Sequence, residues 1–265
     1  MSYTLFKRNC QQVIKPGLIF ISVLTVYTAV IIYMYDPKLM DMLNGYQEVM
    51  PEMMAAMGMS GVATNLIEFV NLYLYGFLMM LFPFIFTLVI GNGFVMKYVD
   101  NGSMAYLLAT PNSRRKIIIT QAISLILSVS TLMIILTLIG IACSEIMFPD
   151  ALDISKYLLL NASALLVQLA VAGIVFAAAC ICNDSRNFYM IGCGLPLGFY
   201  LCSMMGNMGE KLEIFKYFSI YTLFPADRIV SGESGAWIFN LILAGIGIVL
   251  FVTGIEVFCK KDLSL

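Results

Sequence analysis

The sequence predicts an all-α membrane protein with six transmembrane helices. Three observations carry that expectation. First, 61% of the 265 residues are hydrophobic and the mean hydropathy is +0.92, a composition that suits lipid better than water. Second, six apolar runs recur, at about 18–35, 66–90, 117–141, 157–182, 188–205 and 237–258. At about 1.5 Å per residue, about 20 helical residues cross about 30 Å of hydrocarbon. Third, only 12% of residues are charged, and those gather between the runs.

The same composition excludes several functions. The chain has no histidine, so no His-based triad, general base or metal ligand exists. Seven cysteines, at 10, 143, 180, 182, 193, 202 and 259, fall in or beside apolar runs without a C-x-x-C pair, and read as small buried hydrophobes. There is no G-x-x-x-x-G-K-[ST], so ATP is not bound here through a P-loop. A net charge of −1 gives no field toward nucleic acid.

In chain order, Ser2 to Lys15 is amphipathic at helical period. Tyr3, Phe6, Cys10, Val13 and Ile14 share one face; Lys7, Arg8, Gln11, Gln12 and Lys15 fall largely on the other. Such a helix is expected to lie in the membrane interface, with Pro16-Gly17 breaking it before span one. The first apolar run begins only at Leu18 and lacks a small-x-small cleavage site, so it is expected to stay as a span. The loop to Gly61 carries Asp36, Asp41, Glu48 and Glu52 against one Lys38. Within it, Met50, Met53, Met54 and Met57 fall at i, i+3, i+4, i+7, the apolar stripe of a short helix; thioethers are also soft ligands for Cu(I), and that weaker reading stays open.

Glu68 opens span two and Pro83 is expected to kink it. Asn161 and Gln168 in span four lie seven apart and are expected to bond a neighbouring helix. The segment Gly206 to Ala236 is too apolar for a free loop and too short for two spans; a hairpin-like, re-entrant or interfacial piece fits. With the N-terminus inside, the cytosolic segments hold Lys7, Arg8, Lys15, Lys97, Arg114, Arg115, Lys116, Arg186, Lys260 and Lys261. The outer ones hold Lys38, Lys156, Lys211, Lys216 and Arg228. That bias predicts both termini in the cytoplasm.

The most distinctive stretch is Lys97 to Thr120, between spans two and three. It combines an Asp100-Asn101-Gly102 turn, a short apolar helix from Met104 to Leu108, a stop at Pro111 and the cations Arg114, Arg115 and Lys116. The plain reading is a positive-inside anchor. The turn and the proline mark a discrete element that a bare anchor does not need.

Nearly the whole layout resembles the membrane subunit of ABC-2 type transporters, the type V exporter permease. The local residues that carry the resemblance are Asp100, Gly102, Ser103, Leu107, Leu108, Pro111, Ser113, Arg114 and Arg115, with the ending Phe258-Cys259-Lys260-Lys261-Asp262-Leu263. They look like the family's acidic–Gly-Thr–Leu-Leu–Pro-x-Ser-Arg pattern, with Asp for the commoner Glu and Ser for Thr. The resemblance implies one transmembrane domain over 1–265 in a bacterial cytoplasmic membrane. It implies that Asp100 to Lys116 is a coupling helix docking a separate ATP-binding subunit, with Met104, Leu107 and Leu108 as apolar anchors and Arg114 and Arg115 at the rim. Tyr3, Phe6, Lys7 and Arg8 would add a second contact. ATP and Mg2+ would sit on that partner, present in two copies, while two permease subunits, identical or different, form the pathway.

An intramembrane enzyme is disfavoured: no deep carboxylate pair and no G-x-S-x-G exist, and Glu68 and Glu256 are single carboxylates at span ends. A non-transporting scaffold or sensor, and a permease for an ion or copper-related cargo, stay open. Few deep charges among many Met, Phe and Leu residues point to a hydrophobic or amphipathic cargo such as a peptide, drug or lipid-like molecule.

Overall fold

The computed structural model describes residues 2–36, 49–59, 63–109, 112–233 and 235–261. Lys38, Asp41, Glu48, Pro111 and the Asp262-Leu263 close lie outside the described residues, as does the Leu108 side chain. Every regular element among the described residues is helical. In order they are α1 (Tyr3–Tyr33), α2 (Pro51–Ala56), α3 (Leu66–Val70), α4 (Leu78–Gly91), α5 (Lys97–Asp100), α6 (Met104–Leu108), α7 (Arg114–Met147), α8 (Ile154–Ile181), α9 (Ser185–Gly192), α10 (Gly194–Asn207), α11 (Ala226–Ser231) and α12 (Ala236–Lys260). Single π-helical turns at Asn71–Tyr75 and Asn92–Met96 continue α3 and join α4 to α5; short 3-10 helices occupy Glu210–Phe218 and Tyr221–Leu223.

Six of these stretches are long and apolar enough to cross a membrane: Tyr3–Tyr33, Leu78–Asp100, Arg114–Met147, Ile154–Ile181, Ser185–Asn207 and Ala236–Lys260. α8 is the hub. It is the most buried of the six and packs most extensively on α12, with further contacts to α4, α7 and α9. The reason is small residues at helical spacing, which let two backbones approach where apolar bulk alone gives no preference over lipid. A Cβ on Gly173 would lie 2.9 Å from Leu250 Cβ and 3.3 Å from the Gly247 carbonyl oxygen. One on Gly254 would lie 3.0 Å from the Phe176 ring.

Two expectations meet corrections. Pro16-Gly17 does not break the first helix; Tyr3–Tyr33 is continuous. Pro16 removes only one backbone donor, and its fixed φ is helical. Buried anchors on both sides hold the axis: Asn9, fully buried, donates to Gln121 Oε1 and to Ser124 Oγ (2.9 Å) on α7, and Leu24 and Thr28 are buried further along. The buried side of the first turns is therefore Leu5 and Asn9. The expected apolar face remains outward, where Phe6, Cys10, Val13 and Ile14 line an open lateral groove of about 440 Å³ against α7. Second, the run from Leu66 is not one span. The chain bends at Phe77 (φ −129, ψ −60), and the spanning helix begins at Leu78. Gly76 permits the bend: a Cβ there would meet the carbonyl oxygens of Met57 at 2.7 Å and Leu72 at 2.9 Å.

Pro83 sits inside α4, and its missing N–H orphans the Met79 carbonyl. Gln168 of α8, also fully buried, repairs the gap by donating through Nε2 to the Met79 and Met80 carbonyls, both at 3.0 Å. The expected bond to a neighbouring helix is thus made by Gln168, while Asn161 donates to Tyr157 O in its own helix at 2.9 Å. Replacing Gln168 with Leu is expected to cost about 1 kcal/mol, read as a fall of about 2–4 °C in the thermal midpoint of detergent-solubilised protein. An unchanged midpoint would mean that the proline gap is satisfied otherwise.

At the start of α3, Asn65 caps the helix by accepting from Glu68 N at 3.0 Å. Glu68 reaches back to Thr64, accepting from its hydroxyl and its backbone N–H at 2.7 Å each, a reciprocal cap. The Thr64 hydroxyl is the main reason the Glu68 carboxyl sits below its usual pKa. The cap therefore strengthens the fold above the ordinary carboxylate range and is lost as pH falls through the lowered value.

Candidate functional site

The Lys97 to Lys116 stretch joins two spans at one end of the bundle, and its turn is built as its sequence suggests. Gly102 has φ +66, the left-handed region that glycine adopts without strain, and its N–H donates to Val99 O at 3.1 Å. Ser113 caps α7 by accepting from Lys116 N at 3.3 Å, which fixes where the long helix begins.

Three charged side chains of this stretch are committed to other span ends. Asp100 accepts from the Ser185 hydroxyl at 2.8 Å and from Ser185 N at 3.3 Å, placing a carboxylate at the N-terminus of α9, where the helix dipole favours it. Arg114 donates to the Lys261 carbonyl at 3.1 Å, and Arg115 pairs with Glu256 of α12 at 3.0 Å. Lys261 in turn donates to the Cys180 and Cys182 carbonyls at 3.2 and 2.6 Å, satisfying the orphan carbonyls at the end of α8. Burial pushes the Lys261 amine below its usual range and the Cys182 thiol above it. The loop is thus laced to α8, α9 and α12 at once.

The apolar side chains divide differently from the sequence expectation. Met104 is 1% exposed and belongs to the core, and Leu107 is half-buried against it. Among the described side chains of this five-residue helix the outward one is Tyr106, 81% exposed. Nearby, the start of α1 joins the same end of the bundle. Ser2 N donates to Thr120 Oγ1 at 2.9 Å, and the Arg8 guanidinium lies 5.4 Å from the Tyr98 ring centroid. Lys7, Arg8 and Tyr3 point outward, and Phe6 is half-buried.

Of the candidate residues, the structure brings Asp100, Arg114 and Arg115 into one network with Ser185, Glu256 and Lys261. Of those last three, Ser185 was not singled out from sequence, and Glu256 and Lys261 were noted only as a lone span-end carboxylate and as part of the basic chain end. Their pairing with the loop left no local signal, because Ser185 lies 85 positions from Asp100, Glu256 lies 141 from Arg115 and Lys261 lies 147 from Arg114. The methionines lie elsewhere: Met50, Met53 and Met57 border a depression completed by Met204 and Met208, and Met54 is not on its wall. Among the described residues no group of three or more His, Cys, Asp or Glu side chains could hold a metal ion.

Six membrane-length helices, with no strand among the described residues, define a multi-pass, all-helical membrane protein. The chain belongs to the ABC-2 family of transporter proteins, matching the family described as ABC-2 family transporter protein over residues 4–263. No curated protein and no solved structure matches it. Its class is thus that of an ABC transporter permease, a membrane subunit.

Proposed function

We propose that this permease couples ATP hydrolysis on a separate ATP-binding subunit to export of a hydrophobic or amphipathic substrate. The observation that supports the reading most strongly is the Tyr106-bearing helix. It offers one exposed aromatic, yet its flanks are bonded to the ends of α9 and α12 through Asp100 and Arg115, and through Arg114 to the Lys261 carbonyl, whose side chain in turn holds the end of α8. A push on such an element is delivered to several spans, as rigid-body coupling requires. The outward start of α1, with Tyr3, Lys7 and Arg8, adds a second contact. Two ATP-binding subunits carry ATP and Mg2+, two permease subunits enclose the pathway, and both chain ends face the cytoplasm of a bacterial cell. This chain contributes no catalytic residue.

A photoreactive phenylalanine analogue at position 106 tests the docking. The expected result is a single crosslinked product containing a P-loop ATPase when the chain is expressed with its native neighbours. A crosslink only to lipid or to itself would overturn it.

A further inference from the structure

At the end of the bundle opposite Asp100, the short elements around α3, α10 and α11 enclose a polar chamber of about 460 Å³, within the range of small-ligand sites. Beside it lies the methionine-bordered depression, about 620 Å³. The two share walls residue by residue. Ser203 and Asn207 of α10 face the chamber while their chain neighbours Met204 and Met208 face the depression; Gly58 and Met57 divide in the same way. We infer that the pair forms one site for a zwitterionic phospholipid, with an ammonium-and-phosphate headgroup in the chamber and an acyl chain among the methionines.

The headgroup chemistry follows from the chamber's charges. Asp227 accepts from Asn71 Nδ2 through Oδ1 at 3.1 Å, and its other oxygen takes no donor among the described residues. Close by, the rings of Tyr200 and Tyr221 meet edge-on at 5.4 Å, and Tyr75 and Phe224 lie 6.2 Å apart. A carboxylate beside several aromatic rings is an ammonium site. The same chamber holds two cations, Lys216 and Arg228. Their carboxylate partners are exposed and distant, Glu213 at 3.7 Å and Glu233 at 4.0 Å, and the Arg228 guanidinium also lies 4.7 Å from the Phe239 ring centroid. Such pairs contribute little, so a phosphate readily displaces them. Lys216 is also held in place: a Cβ on Gly206 would lie 2.5 Å from its Cγ and 3.0 Å from its backbone N.

No simpler ligand uses every part. A fatty acid leaves Asp227 facing nothing, an anionic lipid without an amine does the same, and a free zwitterion leaves the methionines empty. Methionine side chains are flexible and polarizable, which suits a chain of variable shape. The inference rests on the membrane-spanning reading only for placing the site at the bilayer surface; it does not require an ATPase to dock.

Native mass spectrometry of the full chain, released from an uncharged detergent, tests it with dioleoyl phosphatidylethanolamine against dioleoyl phosphatidylglycerol at equal concentration. The expected result is retention of the ethanolamine lipid about fivefold over the glycerol lipid, the upper value of one ammonium contact at an exposed site. Asp227→Asn, isosteric and exposed, removes that preference. Lys216→Ala weakens both lipids together. Met53→Ser with Met204→Ser weakens both and keeps the preference. Equal retention by the unaltered chain, a preference that survives Asp227→Asn, or full competition by phosphoethanolamine alone would overturn the inference. Loss of ATPase association elsewhere in the molecule would leave all of these readouts unchanged.

Discussion

Replacing Tyr106 with Asp is expected to weaken association with the ATP-binding subunit about 30-fold while the chain still inserts and folds. An exposed tyrosine anchoring a short docking helix contributes about 2 kcal/mol, which at about 1.4 kcal/mol per tenfold is about 30-fold. The side chain is 81% exposed, so the substitution removes little packing within the chain. Met104→Asp should behave in the opposite sense. Met104 is buried, so a carboxylate there lowers the yield of folded protein before any docking is tested. Comparing the two variants, by size-exclusion profile for folding and by pull-down for docking, separates an interface residue from a core residue on the same turn. Equal co-purification of the Tyr106→Asp chain would remove that residue from the interface.

Gly173→Val is expected to give the largest loss of stability. A Cβ at Gly173 already meets Leu250 Cβ at 2.9 Å and the Gly247 carbonyl at 3.3 Å, and Val adds two methyl groups beyond it. One of the opposing atoms is backbone, so no rotamer change on α12 relieves the clash. The α8–α12 interface must open along its length, at a cost of about 3 kcal/mol. The measurement is the thermal midpoint in detergent, expected to fall by about 6–12 °C. Gly194→Ala is the control, since nothing lies within 4 Å of a Cβ built there. A Gly173→Val chain as stable as the unaltered one would mean that α8 and α12 pack less closely than described.

Much of this architecture was legible in the sequence because the bilayer imposes a length and a polarity on every span. The runs around Ile117, Tyr157 and Trp237 announced themselves in that way. The breaks were harder. Pro16-Gly17 carries the strongest local stop signal of the N-terminal region, yet the helix passes through it. What holds it is tertiary: Asn9 bonds Gln121 and Ser124, residues over a hundred positions away. The bend at Phe77 has no proline to mark it and depends on the chain around Gly58 crossing Gly76. At the candidate site, the element itself was readable from its turn and cations. Which of its side chains faces out was not, because five helical residues are too few for a periodicity to show. The chamber around Asp227 and Lys216 was invisible for another reason. Its walls come from four separate segments, and the apolar content of Gly206 to Ala236 suggested only an interfacial hairpin.

The coupling role of the Lys97 to Lys116 stretch requires a partner ATPase that binds there. Affinity purification of the full chain from its native membrane in mild detergent, followed by identification of what accompanies it, measures this. The expected result is a stoichiometric P-loop ATPase, lost when Tyr106 is replaced by Asp. A chain that comes down without any ATPase, even after crosslinking through position 106, would contradict it and leave the Lys97 to Lys116 stretch as a positively charged anchor between two spans.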